Sequence, residues 1–217
     1  MKILAIETSG RTFSVAVSEN GAVLSEIFLD CGQIHSEKLI PSIKKLFKTA
    51  RWQFKDIDKI AVSTGPGSFT GIRVGLTCAR ILGQALNIPV AGLNTLELLT
   101  FAASGDGANT VAAVDAGRGE VYVNPKAPEI VEAKKYFSRL KKLKGSILVA
   151  GNAAAVYADA IKETLKTRAV KTPDVLMFPR AGALAVSAEK MRGARFDKVK
   201  PLYIRRSWAE EKQKNAN

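Results

Sequence analysis

The sequence has one histidine, two cysteines and no apolar run near the ~18 residues that a membrane-spanning helix needs. A single histidine, His35, cannot form a paired-histidine metal site, and no Cys, His, Asp or Glu set has metal-ligand spacing. Cys31 and Cys78 are too few for a disulfide framework, which indicates a reducing compartment. The first apolar run ends at Glu7, too early for a signal peptide. We therefore expect a cytoplasmic chain that holds no metal and does not enter a membrane.

Apolar side chains and positive charge are abundant instead. The 217 residues are 47% hydrophobic with a mean hydropathy of +0.02, enough to bury a core. The net charge is +13, and it is uneven: residues 1–105 carry 11 basic and 8 acidic side chains, whereas residues 106–217 carry 22 and 12. The excess is concentrated in Lys134–Lys144 and Lys198–Lys214. A polyanion such as RNA and ordinary solvated helix faces are both compatible with this asymmetry.

The first half of the chain predicts a β-β-β-α-β-α-β-α order. The Asn20-Gly21 pair is a strong hairpin signal between two alternating strands. Apolar residues at helical spacing then predict a helix from Ser36, which is expected to be its N-cap, and a second helix from about Ile72 to Asn87. The predicted strands are Ile3–Ile6, Thr12–Ser18, Ala22–Leu29, Lys59–Thr64 and Pro89–Leu93, and Asn94 opens a third helix.

The second half repeats the start of the first. An apolar strand, Val111–Val114, ends at Asp115 as the first strand ends at Glu7, 108 residues earlier. Each acid is followed by a turn with a Gly-Arg pair and by another strand, a weak internal duplication that predicts two similar α/β lobes. Pro125 and Pro128 leave little room for a full third strand in the second lobe. We place the lobes at residues 1–105 and 106–217, joined by a linker at residues 104–107, with later helices near residues 133–143, 152–166 and 180–191.

A glycine-rich loop, Gly65–Gly71, precedes the second helix of the first lobe. Such a loop before a helix N-terminus favours anions, but it lacks the Gly-Lys-Ser/Thr of a phosphate-binding P-loop. A tight strand-to-helix turn with close packing is the stronger interpretation. Glu7-Thr8-Ser9 also allows two interpretations. An acid and small hydroxyl residues at such a turn approach the nucleotide in kinases of the actin-like class, but Thr8 and Ser9 are equally able to form only the turn.

Four stretches together resemble the TsaB (YeaZ) family of bacterial tRNA threonylcarbamoyladenosine synthesis. They are Ile3–Ser9, His35–Pro41, Gly65–Gly75 and Val114–Tyr122, and Pro201–Arg205 resembles the family's C-terminal end. The resemblance implies a two-lobe actin-like/Hsp70-like (ASKHA, RNase H-like) α/β fold with a reduced second lobe. Glu7 stands where the family usually has Asp, and Gly117 stands where a basic residue is common.

The same resemblance implies a non-catalytic scaffold that dimerises with the catalytic subunit TsaD and works with the ATPase TsaE. ATP and metal would belong to those partners, with no cofactor held by this chain, and tRNA would bind the assembled complex. The isolated chain is expected to form a homodimer. Residues left from a degenerate nucleotide cleft would be Glu7, Thr8, Ser9, Asp115 and Arg118.

The first-lobe helices are the candidate partner interface under this resemblance, and a charge at Leu76 is expected to break the association. The alternative for these apolar residues is burial against the chain's own sheet. The candidate residues are His35, Ser36, Glu37, Leu39, Ile43, Leu46, Phe47, Ile72, Arg73, Leu76 and Ala79.

Two other functions remain open. A small nucleotide-dependent kinase or hydrolase of the same fold is disfavoured by the missing metal ligands and the reduced second lobe. A standalone RNA-binding protein is favoured by the charge but lacks basic and aromatic residues interleaved for base stacking.

Overall fold

The computed structural model describes residues 1–30, 32, 35–105 and 108–205, and for His35 the backbone only. Cys31, the His35 side chain, part of the expected linker and residues 206–214 of the basic tail therefore lie outside the described residues.

A five-stranded sheet forms the first lobe, in the order β3-β2-β1-β4-β5. Strands β1 to β3 are antiparallel, and β4 and β5 continue the sheet parallel to β1. Asn20 and Gly21 both have positive φ at the first hairpin, as its sequence predicts. The strands are β1 (Lys2–Glu7), β2 (Thr12–Glu19), β3 (Ala22–Asp30), β4 (Lys59–Ser63) and β5 (Val90–Leu93), and the helices are α1 (His35–Ala50), α2 (Phe69–Leu86) and α3 (Thr95–Ala102).

Helices α1 and α2 cover one face of this sheet because each has an apolar stripe. Ser68 caps α2 by accepting a hydrogen bond from the Gly71 amide at 3.2 Å, and Asn94 caps α3 by accepting from the Glu97 amide at 2.8 Å. Helix α1 begins at His35, so Ser36 lies in its first turn and not at the expected N-cap.

The second lobe repeats the first in smaller form. Its strands form two small sheets, β11-β10-β6 and β7-β8-β9, so the strand predicted near residues 111–114 divides into β6 and β7 at Ala113. The predicted helix near residues 152–166 is likewise divided, into α5 and α6, at Tyr157. The elements are β6 (Asn109–Ala112), β7 (Val114–Gly117), β8 (Glu120–Val123), β9 (Glu129–Glu132), α4 (Ala133–Leu140), β10 (Ile147–Ala150), α5 (Ala153–Val156), α6 (Ala158–Leu165) and β11 (Ala169–Val170).

A third strand does form in this lobe despite the two prolines. Pro125 and Pro128 lie in the connection after β8, and β9 begins directly after Pro128. It pairs with β8 in antiparallel register but has four residues, against nine in β3. The expected reduction of the second lobe is therefore real, although the strand itself is present.

The last helix, α7 (Ala181–Glu189), returns to the first lobe, so the division drawn from the sequence at residue 105 needs correction. Its alanines and Leu184 pack on the sheet face opposite α1 and α2. Two polar contacts fix its N-terminus: the Ala181 amide donates to Ser14 Oγ at 2.7 Å, and Arg180 forms an ion pair with Glu26 at 3.1 Å. Helix α3 joins the two lobes, because Leu98 packs with α7 while Leu96 and Leu99 pack with the second lobe.

None of the helices in the described part of the chain combines the length and apolar composition needed to cross a membrane.

Candidate functional site

The glycine-rich loop packs directly on the turn after β1. The Ser68 amide donates to the Ser9 carbonyl at 2.7 Å, and the Thr8 hydroxyl donates to the Gly71 carbonyl at 2.7 Å. A Cβ atom at Gly67 or Gly71 would lie 2.1 or 2.0 Å from a backbone oxygen of this turn. The glycines are therefore required by backbone-to-backbone contact between the turn after β1 and the N-terminal end of α2.

Glu7 is completely buried beneath this contact. Its Oε1 accepts hydrogen bonds from the amide and the hydroxyl of Ser9, both at 2.6 Å, while Oε2 has no hydrogen-bond partner in the described part of the chain. Burial raises the pKa of Glu7 above its usual value, and the neighbouring hydroxyls of Ser63 and Ser9 oppose that rise. The Glu7 carboxyl group is therefore buried in the protein interior and hydrogen-bonded within its own turn.

Asp115 has a structural role in the second lobe. Its Oδ1 accepts hydrogen bonds from the Tyr157 hydroxyl at 2.8 Å and from the Gly117 amide at 3.1 Å. Its own amide donates to Asn152 Oδ1 at 2.9 Å. Burial, together with Asp115, raises the pKa of Tyr157 to about 12. Arg118, the other expected cleft residue here, is exposed in the β7–β8 turn with a φ of 57°.

The space between the lobes is small near these two turns. A pocket bounded by Ser9, Thr95, Val114 and Asn152 has a volume of about 30 Å³, which suits one water molecule. Ligand sites for small molecules are typically about ten times larger. The described residues also contain no cluster of three or more His, Cys, Asp or Glu side chains that could hold a metal ion. This pocket is therefore too small for a nucleotide in this conformation.

All seven apolar residues proposed for the partner interface belong to the chain's own core. They are between 0% and 4% exposed, because the apolar stripe of each helix faces the sheet. Leu76 is 2% exposed, so the proposed charge at this position would disrupt the fold and not only an interface. The buried candidates are Leu39, Ile43, Leu46, Phe47, Ile72, Leu76 and Ala79, whereas Ser36, Glu37 and Arg73 are exposed.

An apolar groove nevertheless runs between α1 and α2. Its volume is about 460 Å³, and Ile40 and Ile81 on its two sides are 43% and 60% exposed. Val74, Cys78 and Leu82 contribute partly buried surface, with Leu39 among the lining residues. Ser36, Arg73 and Thr77 also line this groove, which we call the α1–α2 groove. The candidate partner interface therefore moves from the buried stripes of the two helices to the exposed groove between them.

Three candidates from the sequence, Ser36, Leu39 and Arg73, do line the groove. Its apolar residues on α2 were not among the candidates, although a signal for them is present. Val74, Cys78, Ile81 and Leu82 recur at helical spacing and form a second apolar stripe beside the buried one. A helix with two such stripes has more apolar surface than a single sheet contact covers. Burial raises the pKa of Cys78 from 9.0 to about 11.

The C-terminal segment supports one end of α2 and reaches the second lobe. The Leu202 amide donates to the Thr64 carbonyl at 2.7 Å, and the Arg73 Nε donates to the Tyr203 hydroxyl at 2.9 Å. The Arg73 guanidinium also lies 3.9 Å from the centre of the Phe69 ring. Arg205 then donates to the Ala116 carbonyl at 2.7 Å. Tyr203, 38% exposed, therefore lies beside Arg73 of the groove, within the stretch that resembles the C-terminal end of the family.

Comparison with known proteins shows the family to which this chain belongs. A family model described as TsaD, tRNA N6-adenosine threonylcarbamoyltransferase, matches residues 29–130. The tRNA threonylcarbamoyladenosine biosynthesis protein TsaB of Bacillus subtilis (strain 168) is 30% identical over an alignment of 226 positions, which covers 98% of this chain and 97% of that protein. The chain belongs to the TsaB family. The resemblance of the four sequence stretches is thus confirmed.

Solved structures confirm the fold. YeaZ from Pseudomonas aeruginosa has a TM-score of 0.73 at 24% identity, with 93% of this chain and 99% of that chain covered. The activator of the 2-hydroxyisocaproyl-CoA dehydratase from Clostridium difficile, determined with bound ADPNP, has a TM-score of 0.51 at 11% identity, with 100% of this chain and 98% of that chain covered. The actin-like two-lobe architecture expected of a TsaB family member is therefore established.

Proposed function

We propose that this chain is a non-catalytic subunit that pairs with a TsaD-like catalytic subunit and supports threonylcarbamoyl transfer to adenosine in tRNA. The observation that carries the proposal is the α1–α2 groove in a chain that aligns with TsaB over nearly its whole length. A TsaE-like ATPase would act in the same complex, and the ATP and metal of the reaction would be held by the partners.

The exposed aliphatic side chains of the groove support a protein as its binding partner. Exposed branched aliphatic side chains, Ile40 and Ile81, stand on two neighbouring helices with Arg73 at one end. Two helices of a related subunit placed across them would form a four-helix bundle and bury this aliphatic surface. In the absence of that partner, a second copy of the chain would cover the same surface, which accounts for an expected homodimer.

The non-catalytic part of the proposal is supported by the two turns described above. The Gly65–Gly71 loop packs against the Glu7–Ser9 turn, where the Ser68 amide donates to the Ser9 carbonyl and the Thr8 hydroxyl donates to the Gly71 carbonyl. The Glu7 carboxyl group is completely buried, and Asp115 accepts hydrogen bonds from the Tyr157 hydroxyl and the Gly117 amide. A kinase or hydrolase would need a carboxylate free to hold a metal ion at this place.

Reconstitution with purified components tests this function. The TsaD-like and TsaE-like proteins of the same cell would be combined with threonylcarbamoyl-adenylate-generating enzyme, ATP and an unmodified tRNA transcript, with and without this chain. We expect modified adenosine to form only when the chain is added. Equal modification without the chain would contradict the proposal. ATP turnover by this chain alone, lost in Glu7→Ala, would favour the nucleotide-dependent enzyme instead.

A further inference from the structure

Helix α4 and the turn after it form a continuous basic surface on the second lobe. The twelve residues 133–144 include six basic side chains and no acidic one, and all six are exposed. Ala133, Phe137 and Leu140 face the core of the lobe, which directs the basic side chains of α4 outward, and the lysines of the turn after it are exposed as well. We call this surface the basic face, and it consists of Lys134, Lys135, Arg139, Lys141, Lys142 and Lys144.

The basic face has little internal neutralisation. Arg139 lies 4.0 Å from Glu129, and both side chains are about half exposed, so this pair is weak. The five lysines form no ion pair with any residue in the described ranges 1–30, 32, 35–105 and 108–205. Like charges at such short spacing repel one another, which disfavours the cluster unless an anion of another molecule is present.

Stabilisation of the helix end does not account for the lysines. Cations are often found near helix C-termini because the last carbonyl groups lack partners. Here the Arg168 guanidinium already donates to the carbonyls of Lys141 and Gly145, at 3.3 and 3.0 Å, and to that of Leu143. The turn is held by Arg168, and the ammonium groups of Lys141, Lys142 and Lys144 are left to face solvent.

We infer that the basic face binds the phosphate backbone of RNA. Over about 15 Å of helix and turn it presents several cations to one side, a spacing that several consecutive phosphates can match. An anionic membrane is a less suitable partner, because a helix that binds a membrane surface inserts an apolar face into it. The apolar side of α4 is buried in the core, and Leu143, 37% exposed, is the one large apolar side chain exposed in residues 133–144. The inference deepens the proposed function, since it gives the second lobe a direct contact with the tRNA substrate.

Charge reversal with a matched control tests this inference. The triple variant Lys134→Glu, Lys141→Glu, Lys142→Glu removes part of the basic face. The control reverses three exposed lysines that lie outside both basic stretches, Lys48, Lys55 and Lys190, with the same change in net charge. Binding of a fluorescent tRNA transcript is measured for the full-length chain at several salt concentrations, after circular dichroism has shown that each variant folds.

We expect at least tenfold weaker binding for the α4 variant at fixed salt and less than threefold for the control. Each lost phosphate contact should also lower the slope of log affinity against log salt by roughly 0.7 to 0.9. Equal effects of the two triple variants, no binding of RNA by the parent chain, or tighter binding to vesicles of anionic lipid would overturn the inference.

The same measurements separate this inference from the proposed function. Binding of the TsaD-like subunit is assayed without RNA, so a chain that binds RNA through the basic face but never pairs would contradict only the proposed function. A chain that pairs normally while the α4 variant binds RNA like the parent would contradict only the inference.

Discussion

Gly67 and Ser9 are in backbone contact: a Cβ at Gly67 would lie 2.1 Å from the Ser9 carbonyl oxygen. Gly67 also has a φ of +154°, in the region that favours glycine. We expect Gly67→Ala to lower the free energy of unfolding by about 1–3 kcal/mol or more, because the loop must move away from the turn. Gly10→Ala, in the same turn, is the control, since its Cβ would meet its nearest atom at 3.8 Å. Chemical denaturation of both variants measures the difference, and equal losses would contradict the packing account.

The buried acid Glu7 should make stability depend on pH. Its pKa is raised in the folded state by burial, so its contribution to stability is fully present below the unfolded pKa near 4.5 and is lost as the pH rises through the folded pKa. Glu7→Gln has no such titration, and its stability relative to the parent should increase from pH 4.5 to pH 8. Denaturant titrations over this range test the sign, with exposed Glu132→Gln as the control for net charge. A relative stability that decreases with pH would show that the folded chain prefers the Glu7 carboxylate.

Lys59 connects the first sheet to the end of α7. Its side chain is 6% exposed, and Nζ donates to the carbonyls of Ala188 and Met191 at 3.0 and 2.7 Å. Lys59→Met preserves the aliphatic part but removes the donor, so we expect a loss of about 1–3 kcal/mol in the free energy of unfolding. Exposed Lys55→Met should change it by less than about 0.5 kcal/mol. Hydrogen exchange of the α7 amides should also accelerate, and unchanged exchange would mean that the helix end does not depend on Lys59.

The thiol of Cys78 should react slowly. Burial raises its pKa from 9.0 to about 11, which lowers the thiolate fraction near neutral pH by about a hundredfold. Alkylation followed by peptide mapping should show labelling of Cys78 that increases with pH up to about pH 11. Unfolding in urea should restore the rate of an ordinary cysteine. Rapid labelling of the folded chain at pH 7 would contradict the described environment of the groove.

Local sequence signals predicted the elements of the first lobe well. Asn20-Gly21 fixed the hairpin, and the pattern of an acid followed by a Gly-Arg turn, at Glu7 and Asp115, identified the duplication. These features depend on neighbouring residues, which a single sequence displays. The sequence also predicts that Gly65–Gly71 forms a turn, because the loop lacks the lysine of a phosphate-binding motif.

Packing between residues that are distant in the chain could not be predicted from the sequence in the same way. The apolar stripe containing Leu76 identifies the side of α2 that is buried, but it does not say whether the chain or a partner buries it. The exposed Ile81 belongs to the second stripe, in which polar residues such as Thr77 interrupt the apolar pattern and make it harder to recognise. The return of α7 to the first sheet depends on contacts over more than 150 residues, such as Arg180 with Glu26. No local periodicity encodes such a contact.

The central claim, that the α1–α2 groove binds the catalytic subunit, is tested by one substitution at its edge. Ile81 is 60% exposed, so Ile81→Glu should leave the fold intact but place a carboxylate in a desolvated aliphatic interface. Val156→Glu is the matched control, because Val156 is 55% exposed on the second lobe. The dissociation constant for the TsaD-like subunit is measured by isothermal titration calorimetry, with circular dichroism confirming the fold of both variants. We predict at least tenfold weaker binding for Ile81→Glu, which is about 1.4 kcal/mol, and parental binding for Val156→Glu. A folded Ile81→Glu variant that binds as tightly as the parent would contradict the account.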